Sequence, residues 1–335
     1  MSASGDRICA VDHDRLPDLG RIAGVATAAE LVKSGLAKPA IRRMVRSGVL
    51  LQVRPGVYAR ADLVSRMSGS KEFRLRRLAI AAALAVVADG AVASHQDAAL
   101  LFGIDLLDRI SPSAVTLSRS GRHDALLAGL PAIRIRMANL PSNQKMVIGG
   151  IPVTTPARTV ADLARVTSFK SGVVIADSAL HRRLTTKAEL SRVLATCARW
   201  PGVERARRVV AFSDGRSESP FESIARVAFR DGGLPPPDLQ VWVGGDSGPV
   251  GRADFLWREH ATIAEADGAL KYADPDRARQ QLRRDADLRA AGFEVVHIGW
   301  AELTMTPDQV IQAIKAAFAR SASLRLGERT DRHSA

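Results

Sequence analysis

The sequence of 335 residues is too long for one ordinary hydrophobic core and predicts two or three domains. Hydrophobic residues make up 46% of the chain and charged residues 25%, which excludes a largely disordered protein. The formal net charge is +13 and the pI is about 10.7, a balance that favours a polyanionic partner, nucleic acid first and a membrane surface second. An arginine-rich composition is equally typical of a GC-rich genome, and charge alone does not separate these interpretations.

Cysteine usage and hydropathy exclude further classes of protein. Cys9 and Cys197 are far apart and form no C-x-x-C pair, so we expect neither a disulfide framework nor a zinc site. The longest apolar run, 78–87, is shorter than the roughly 20 residues that span a bilayer. The polar N-terminus lacks the apolar segment of a secretory signal, and we therefore expect a cytoplasmic protein.

Residues 18–65 predict a winged helix-turn-helix domain. Thr27 and Glu30 form a capping box before a first helix that ends at Gly35. A second helix, "AKPAIRRMVRSG", is followed by "VLLQV", the turn "RPG" and "VYA", which predict a two-stranded hairpin. We predict that this domain binds DNA through Arg42, Arg43 and Arg46 of the second helix and Arg54 of the wing. The alternative is that these arginines form a solvated helix face.

Residues 72–214 predict an α/β middle domain with no recognisable catalytic constellation. The run "FRLRRLAIAAALAVV" and the segment "SHQDAALLFG" are typical of helices, and "AVTLS", "AIRIRM" and "KMVIGGIPVTT" are typical of strands. His95, His181, Asp162 and Asp177 fall within helical patterns, where packed or surface roles are more common than ligand roles.

Residues 217–322 predict a third domain in the order helix, three-stranded meander, helix, strand and helix. Ser219 and Glu222 form a capping box at its start. The strands are "DLQVWV", "GRADFLW", "ATIAEAD" and "FEVVHIGW". The helix after the third strand is expected to bury Ala278, Leu282 and Ala286. The remaining residues, 323–335, are polar and basic and predict a disordered tail. The fold class is therefore mixed α/β (α+β).

Carboxylates are concentrated on two strands of the third domain. Alternation along a strand puts Glu265 and Asp267 on the same face, and antiparallel pairing with the preceding strand brings Asp254 towards Glu265. Such acids repel each other unless a hard cation lies between them, which favours a Mg²⁺ or Mn²⁺ site with Glu222 as a further ligand. Lys271 can orient a water molecule or neutralise charge. The alternative is a polar hairpin with no metal.

The third domain resembles the PD-(D/E)-x-K nuclease superfamily, in particular small endonuclease domains related to very-short-patch repair endonucleases. The segments that carry the resemblance are "FES", "PPPDLQ", "GRADFLW" and "EADGALK". The resemblance implies metal ligands at Asp254 and Glu265, with Glu222, Gln240, Asp267 and Lys271 nearby. Asp267 stands where the wider superfamily has a lysine, and Lys271 would then substitute for it.

The front of the chain resembles the winged-helix domain of AbiEi-type abortive-infection antitoxins. The segment "GVATAAELVKSGLAKPAIRRMVRSGVLLQVRPGVYA" carries this resemblance, and "SHQDAALLFG" with "GIPVTTPARTVADLA" is similar to the region that follows it. The resemblance implies DNA as a partner, a cognate toxin or defence partner, and a setting in phage defence or toxin–antitoxin control.

Two functions remain open on the sequence. The first is a DNA-binding, Mg²⁺-dependent endonuclease, and the second is a non-catalytic, antitoxin-like regulator that keeps a nuclease fold. An RNA- or nucleotide-directed antitoxin is a weaker alternative, because the middle domain has no phosphate-binding glycine loop. The sequence leaves the oligomeric state open.

Overall fold

The computed structural model describes residues 23–87, 90–108, 110, 113–121, 132–245, 248–267 and 275–333, without side chains at 245, 248–249, 275–278 and 324–333. The chain forms two compact units, one reaching residue 103 and including 110–159, the other comprising 104–109 and the residues from 160 onward. The boundary at 159 falls inside the middle domain of 72–214 that the sequence predicts. The mixed α/β fold class is confirmed. None of the described helices is both long and apolar enough to cross a membrane.

The first unit begins with the elements of a winged helix. They are β1 (Val25–Thr27), α1 (Ala28–Lys33), α2 (Lys38–Arg46), β2 (Leu50–Arg54), β3 (Val57–Arg60) and α3 (Ala61–Ser65). The three strands pair antiparallel in the order β1-β3-β2. The Glu30 carboxylate accepts a bond from the Thr27 N–H at 2.7 Å, and the Thr27 hydroxyl accepts one from the Glu30 N–H at 3.2 Å, so the expected capping box starts α1.

The rest of the first unit is a five-stranded sheet with helices. Its elements are α4 (Lys71–Val86), β4 (Val92–Ala93), α5 (His95–Phe102), β5 (Val115–Arg119), β6 (Ile133–Met137), β7 (Lys145–Ile148) and β8 (Ile151–Thr154). The strand order is β6-β5-β4-β8-β7. Helix α6 (Pro156–Val166) follows, and its residues up to 159 belong to the first unit and the rest to the second. The fully buried side chains of Ile80, Leu117, Ile151 and Val153 belong to the core of this sheet.

The second unit joins three helices to a four-stranded sheet. The helices are α7 (Phe169–His181), α8 (Lys187–Thr196) and α9 (Val203–Phe212). The elements that follow are α10 (Pro220–Asp231), β9 (Asp238–Gly245), β10 (Gly248–Trp257), β11 (Thr262–Asp267), α11 (Pro275–Ala290), β12 (Glu294–Gly299), α12 (Trp300–Met305) and α13 (Pro307–His333). Strands β9, β10 and β11 form an antiparallel meander, and β12 joins β11 in parallel. This order agrees with the sequence prediction, apart from the additional short helix α12.

The buried face of α11 was predicted incorrectly. Leu282 is 68% exposed, whereas Asp285 and Leu288 are buried. Arg284, which precedes Asp285, is also turned inward and contacts Glu265 of β11. The helix therefore presents charged side chains to the sheet, because those charges find partners there, and a hydrophobicity pattern does not detect such a face.

The C-terminal residues are helical rather than irregular over most of the predicted tail. Helix α13 continues to His333, well past the expected end at residue 322. Ile311, Ile314 and Ala317 are buried along its first half, which anchors the helix to the sheet. The residues that follow are mostly good helix formers with Gly327 as the first strong breaker, so the helix can propagate beyond its anchored part.

Candidate nucleic-acid interface and candidate metal site

Helix α2 presents a basic face on the winged helix. Ile41 and Met44 are buried against the small core of this domain, and the helical repeat therefore directs Arg42, Arg43 and Arg46 outward, where all three are exposed. Within the described part of the chain, none of the three arginines makes an ion pair or a side-chain hydrogen bond. Three guanidinium groups on one exposed face are suited to contact phosphates.

Arg54 of the wing is placed less favourably for a contact with DNA than the sequence predicts. Arg54 ends β2 next to the Pro55–Gly56 turn, in which Gly56 has a φ of +76°, a conformation that favours glycine. The Arg54 side chain is only half exposed, and burial lowers its pKa, although an arginine remains charged. Arg54 is thus at the expected position in the wing but is more enclosed than the arginines of α2.

Glu222 lies in the first turn of α10 and is fixed by the start of that helix. Its carboxylate accepts bonds from the Ser219 hydroxyl at 2.8 Å, from the Glu218 N–H at 2.8 Å and from Nε2 of Gln240 at 2.9 Å. Burial raises the pKa of Glu222, against the opposing effect of these hydrogen bonds. Ser219 is the N-cap of α10, and the predicted capping box is only half formed, because the Glu222 carboxylate bonds the Glu218 N–H in place of the Ser219 N–H. The same carboxylate faces the candidate site through Gln240.

Gln240 links Glu222 to Asp254. Its Nε2 lies 2.9 Å from Oε2 of Glu222 and 3.1 Å from Oδ1 of Asp254, and the other oxygen of Asp254 accepts the Ala266 N–H at 2.9 Å. The backbone of Gln240 has a φ of +55°, which is uncommon for a residue other than glycine. Its Oε1 atom is buried and has no hydrogen-bond partner among the described residues. One amide thus holds two carboxylates together.

Asp254 and Glu265 are neighbours on adjacent strands. Phe255 pairs with Ala264 at the end of the regular antiparallel register, and Asp254 and Glu265 lie one position beyond that pair. The register thus agrees with the antiparallel pairing that the sequence predicts, while the role of the two acids stays a prediction. The two carboxylates nevertheless have different partners, because Glu265 contacts an arginine of α11.

Arg284 neutralises the Glu265 carboxylate. Its Nη2 donates to Oε1 of Glu265 at 2.9 Å and to the Arg252 carbonyl at 2.6 Å, and its Nη1 lies 3.4 Å from Oε2 of Glu265. The Glu265 side chain is only 3% exposed, so this ion pair is shielded from water on the carboxylate side. Arg284 and Glu265 are far apart in the sequence, and only the fold identifies them as partners.

His297 lies between two buried aspartates. Its Nδ1 is 2.8 Å from Oδ2 of Asp267, and its Nε2 is 2.7 Å from Oδ2 of Asp285. The ion pair with Asp267 and, against the opposing effect of burial, the bond to Asp285 raise the pKa of His297 to about 9. Both ring nitrogens therefore carry protons at neutral pH. Sequence reasoning did not identify Asp285 as a site residue. The one feature that could have indicated it is its position directly after two arginines of α11.

Two predicted site residues remain, Asp267 and Lys271. Asp267, in the position of the superfamily lysine, contacts His297 and thus acquires a cationic neighbour from the adjacent strand. Lys271 lies outside the described residues. Among the residues that the structure describes, no three acidic, histidine or cysteine side chains surround one point closely enough to hold a metal ion.

Asp177 and His181 of α7 have structural surroundings, as expected. Asp177 is fully buried, accepts bonds from the Ser223 hydroxyl and the Asp214 N–H, and pairs with Arg226 at 2.7 Å. Burial raises its pKa to about 6. These contacts connect α7 to α10, and Nδ1 of His181 lies 3.2 Å from the Gly215 carbonyl.

The winged fold and the basic face of α2 are features of DNA-binding proteins, and the comparisons with known proteins agree for this part of the chain. Residues 14–61 match a family model described as "Transcriptional regulator, AbiEi antitoxin". The chain is also similar to the uncharacterized proteins MT2308 and Rv2248 from two strains of Mycobacterium tuberculosis. Each is 28% identical over 273 residues, which are 81% of this chain and 93% of the relative.

A structural similarity was found to the crystal structure of the RV2827C protein from Mycobacterium tuberculosis. It has 17% sequence identity and a TM-score of 0.38, and it covers 60% of this chain and 75% of that chain. The similarity of the N-terminal part to antitoxin-type transcriptional regulators rests on the family match of residues 14–61. The resemblance of the C-terminal part to nucleases stays a prediction.

Proposed function

We propose that the chain is a DNA-binding regulator of the antitoxin type and that α2 of its winged helix contacts duplex DNA. The observation that carries this function is the set of three exposed arginines on α2, which have no ion-pair partner in the described part of the chain. The similarity of residues 14–61 to an antitoxin-type transcriptional regulator and the net charge of +13 support the same function. A cognate toxin is the protein partner that this similarity favours.

The experiment is a measurement of duplex DNA affinity by the full chain at several salt concentrations. Each phosphate that a protein neutralises contributes about −0.9 to the slope of log K against log salt. Replacing Arg42 and Arg46 by alanine should weaken binding and reduce the magnitude of this slope by about 1.8.

The matched control replaces two exposed arginines of the second unit, Arg192 and Arg208. This control removes the same charge, and we expect it to leave the slope nearly unchanged. If both double variants alter affinity and slope equally, the contact is a general effect of charge and α2 is not the DNA-binding helix.

A second function, divalent-cation-dependent hydrolysis of phosphodiester bonds, is favoured by one observation. Asp254 and Glu265 are neighbours on adjacent strands, and Gln240 connects Asp254 to Glu222. Mg²⁺ prefers oxygen ligands and is commonly held by one or two carboxylates and several waters, the kind of ligand that Asp254 and Glu265 would supply. When bound, such an ion supplies a Lewis acid for the phosphate and lowers the pKa of a bound water.

The chain's own residues have distinct roles in this second function. Asp254 and Glu265 would hold the cation, while Glu222 would act through Gln240 to orient Asp254. Asp267, at the position of the superfamily lysine, holds His297. Lys271 would orient a water molecule or neutralise charge.

The charges around these acids explain why hydrolysis ranks second. Unpaired carboxylates at this spacing would indicate a missing cation, but Arg284 compensates Glu265 and His297 compensates Asp267. Retention of the acids is therefore compatible with a protein that never binds a metal.

A nicking assay on supercoiled plasmid tests the second function, with Mg²⁺, with Mn²⁺ and with a chelator. Asp254→Asn and Glu265→Gln keep the side-chain shapes and should abolish metal-dependent nicking while DNA binding by α2 continues. The control is Asp287→Asn, which alters an exposed acid of α11. Equal nicking by all variants would refute the site. If the protein shifts duplex DNA in a mobility assay but nicks plasmid in none of the conditions, the regulator is the one proposed function that remains.

A further inference from the structure

A cavity of about 340 Å³ lies in the second unit, between the end of α9, helix α10 and the loop that leads into β9. The buried side chains that line it are apolar, namely Phe229, Leu234 and Leu239. The charged side chains that line it are Asp214 and three arginines, Arg216, Arg226 and Arg230. Sites for small molecules are typically concave and mostly apolar, with a few charged groups that fix the orientation of the ligand. The cavity has this composition.

The proline segment 235–237 gives the cavity a rigid wall. Nε1 of Trp257 donates to the Pro235 carbonyl at 2.7 Å, and the Leu234 N–H donates to the Phe229 carbonyl at 2.9 Å. Proline fixes its own φ and restricts the residue before it, so three prolines in succession lose little further freedom when a ligand binds. The wall is therefore preformed, which lowers the entropic cost of binding.

Two of the arginines are stacked on one aromatic ring. The guanidinium carbons of Arg226 and Arg230 lie 4.7 Å and 5.0 Å from the centre of the Phe212 ring. Arg230 is also 4.2 Å from the centre of the Phe169 ring. Arg226 pairs with Asp177 at 2.7 Å and donates to the Phe212 carbonyl at 2.6 Å, so its charge is compensated within the protein. Stacking holds both guanidinium groups in place beside the cavity.

Arg216 and Arg230 keep donors for a ligand. Arg216 bonds Asp214 through Nε and Nη2, and Arg230 bonds the exposed Asp231 through the same two atoms. The Nη1 atom of either arginine makes no hydrogen bond within the described part of the chain. The Arg216 side chain is 57% exposed and that of Arg230 is 44% exposed, and ion pairs at such exposure contribute little to stability. An arriving carboxylate can therefore bond these arginines at low cost.

We propose that this cavity binds a small aromatic carboxylate. The ring of the ligand lies on Phe229, Leu234 and Leu239, and its carboxylate accepts bonds from Arg216 and Arg230. A negative charge is favoured because, with Arg226 compensated by Asp177, the lining still has two arginines and one aspartate. A flat ring is favoured because aromatic side chains and prolines offer flat apolar faces. This site is independent of both proposed functions and adds the binding of a small molecule to them.

The test is isothermal titration calorimetry of the full chain with three probes. The first is 2-naphthoate, which has the ring and the carboxylate; 2-naphthol lacks the carboxylate, and acetate lacks the ring. We expect 2-naphthoate to bind at a single site and the other two probes to bind at least about ten-fold more weakly, since a hydrogen bond to a charged group contributes about 1.5–3 kcal/mol.

Two variants locate the site. Arg216→Gln and Arg230→Gln should each weaken the binding of 2-naphthoate by about ten-fold or more and leave the weak binding of 2-naphthol unchanged. A variant that merely distorted the cavity would weaken both probes. Arg208→Gln is the matched control, because it removes an exposed arginine of α9 that does not line the cavity, and it should bind 2-naphthoate as the parent does.

The remaining outcomes each overturn a defined part of the proposal. Equal affinity for 2-naphthoate and 2-naphthol, unchanged in both cavity variants, would overturn the preference for an anion. Equal weakening by Arg208→Gln would show a general attraction to a basic protein and overturn the site. No binding of 2-naphthoate at millimolar concentration would also overturn the site. Thermal unfolding of each variant establishes that it is folded, and either cavity variant carries the test if the other unfolds.

Discussion

The ion pairs of His297 make the stability of the second unit depend on pH in a predictable direction. The pKa of His297 is raised to about 9 in the folded chain, first by Asp267 and also by Asp285, whereas an unfolded histidine has a pKa of about 6.5. Because the folded value is the higher one, the contribution to stability is fully present below about pH 6.5. It is lost as the pH rises towards 9.

The size of this contribution follows from the two pKa values. Each pH unit between them corresponds to about 1.4 kcal/mol, which gives about 3 kcal/mol as an upper limit for the histidine. Replacing His297 by asparagine removes the titrating group and leaves a polar side chain between the two aspartates. The free energy of unfolding of the variant should therefore be lower than that of the parent by up to this amount at pH 6, with some reduction because the ring is partly exposed to solvent, in addition to any loss from packing.

The assay is urea denaturation of parent and His297→Asn at pH 6, 7, 8 and 9. The difference in the free energy of unfolding should shrink steadily between pH 6.5 and 9, and nuclear magnetic resonance of the His297 ring should give the raised pKa directly. His181→Asn serves as the control, since His181 contacts a backbone carbonyl and no carboxylate in the described structure. A difference that stays constant over this range would refute the assignment of a charged His297 to the folded chain.

Two further predictions concern the groups around the candidate site. Asp177→Ala should lower the free energy of unfolding by about 3–5 kcal/mol in a denaturation experiment, because it leaves the buried Arg226 without its carboxylate partner; a loss below about 1 kcal/mol would contradict the buried pair. Gln240→Leu should destabilise the chain by about 1–3 kcal/mol, because Glu222 and Asp254 lose the N–H donor that they share. The loss should be larger at pH 7 than at low pH, because burial raises the pKa of Glu222 and its protonated form depends less on the donor; the opposite trend would show that Gln240 does not stabilise a charged Glu222.

The compensated acids change what the sequence motif means for function. On the sequence, carboxylates at Asp254, Glu265 and Asp267 indicate repulsion that only a cation relieves. In the fold, Arg284, His297 and Gln240 provide positive charge and N–H donors for these groups. The same constellation is therefore expected both in a regulator that never binds a metal and in a metal-dependent nuclease. Metal-dependent nicking that is lost in Asp254→Asn separates these two possibilities.

The sequence by itself determined the local structure. The capping box of Thr27 and Glu30, the glycine turn of the wing and the pattern of α2 predict a winged helix, because these signals act within a few residues of each other. The order of helices and strands around Asp254 and Glu265 was predicted for the same reason. The outward position of Arg42, Arg43 and Arg46 also follows from the helical repeat once Ile41 and Met44 are buried.

The tertiary structure decided the partners of the charged groups. Arg284 is 19 residues from Glu265, and His297 is 30 residues from Asp267, so their contacts depend on how α11 and β12 pack beside β11. The buried face of α11 was predicted incorrectly for this reason, because hydrophobic periodicity counts a paired arginine or aspartate as exposed. Local hydrogen bonding and periodicity are written in short stretches of sequence, whereas the neutralisation of a buried charge depends on residues that only the fold brings together.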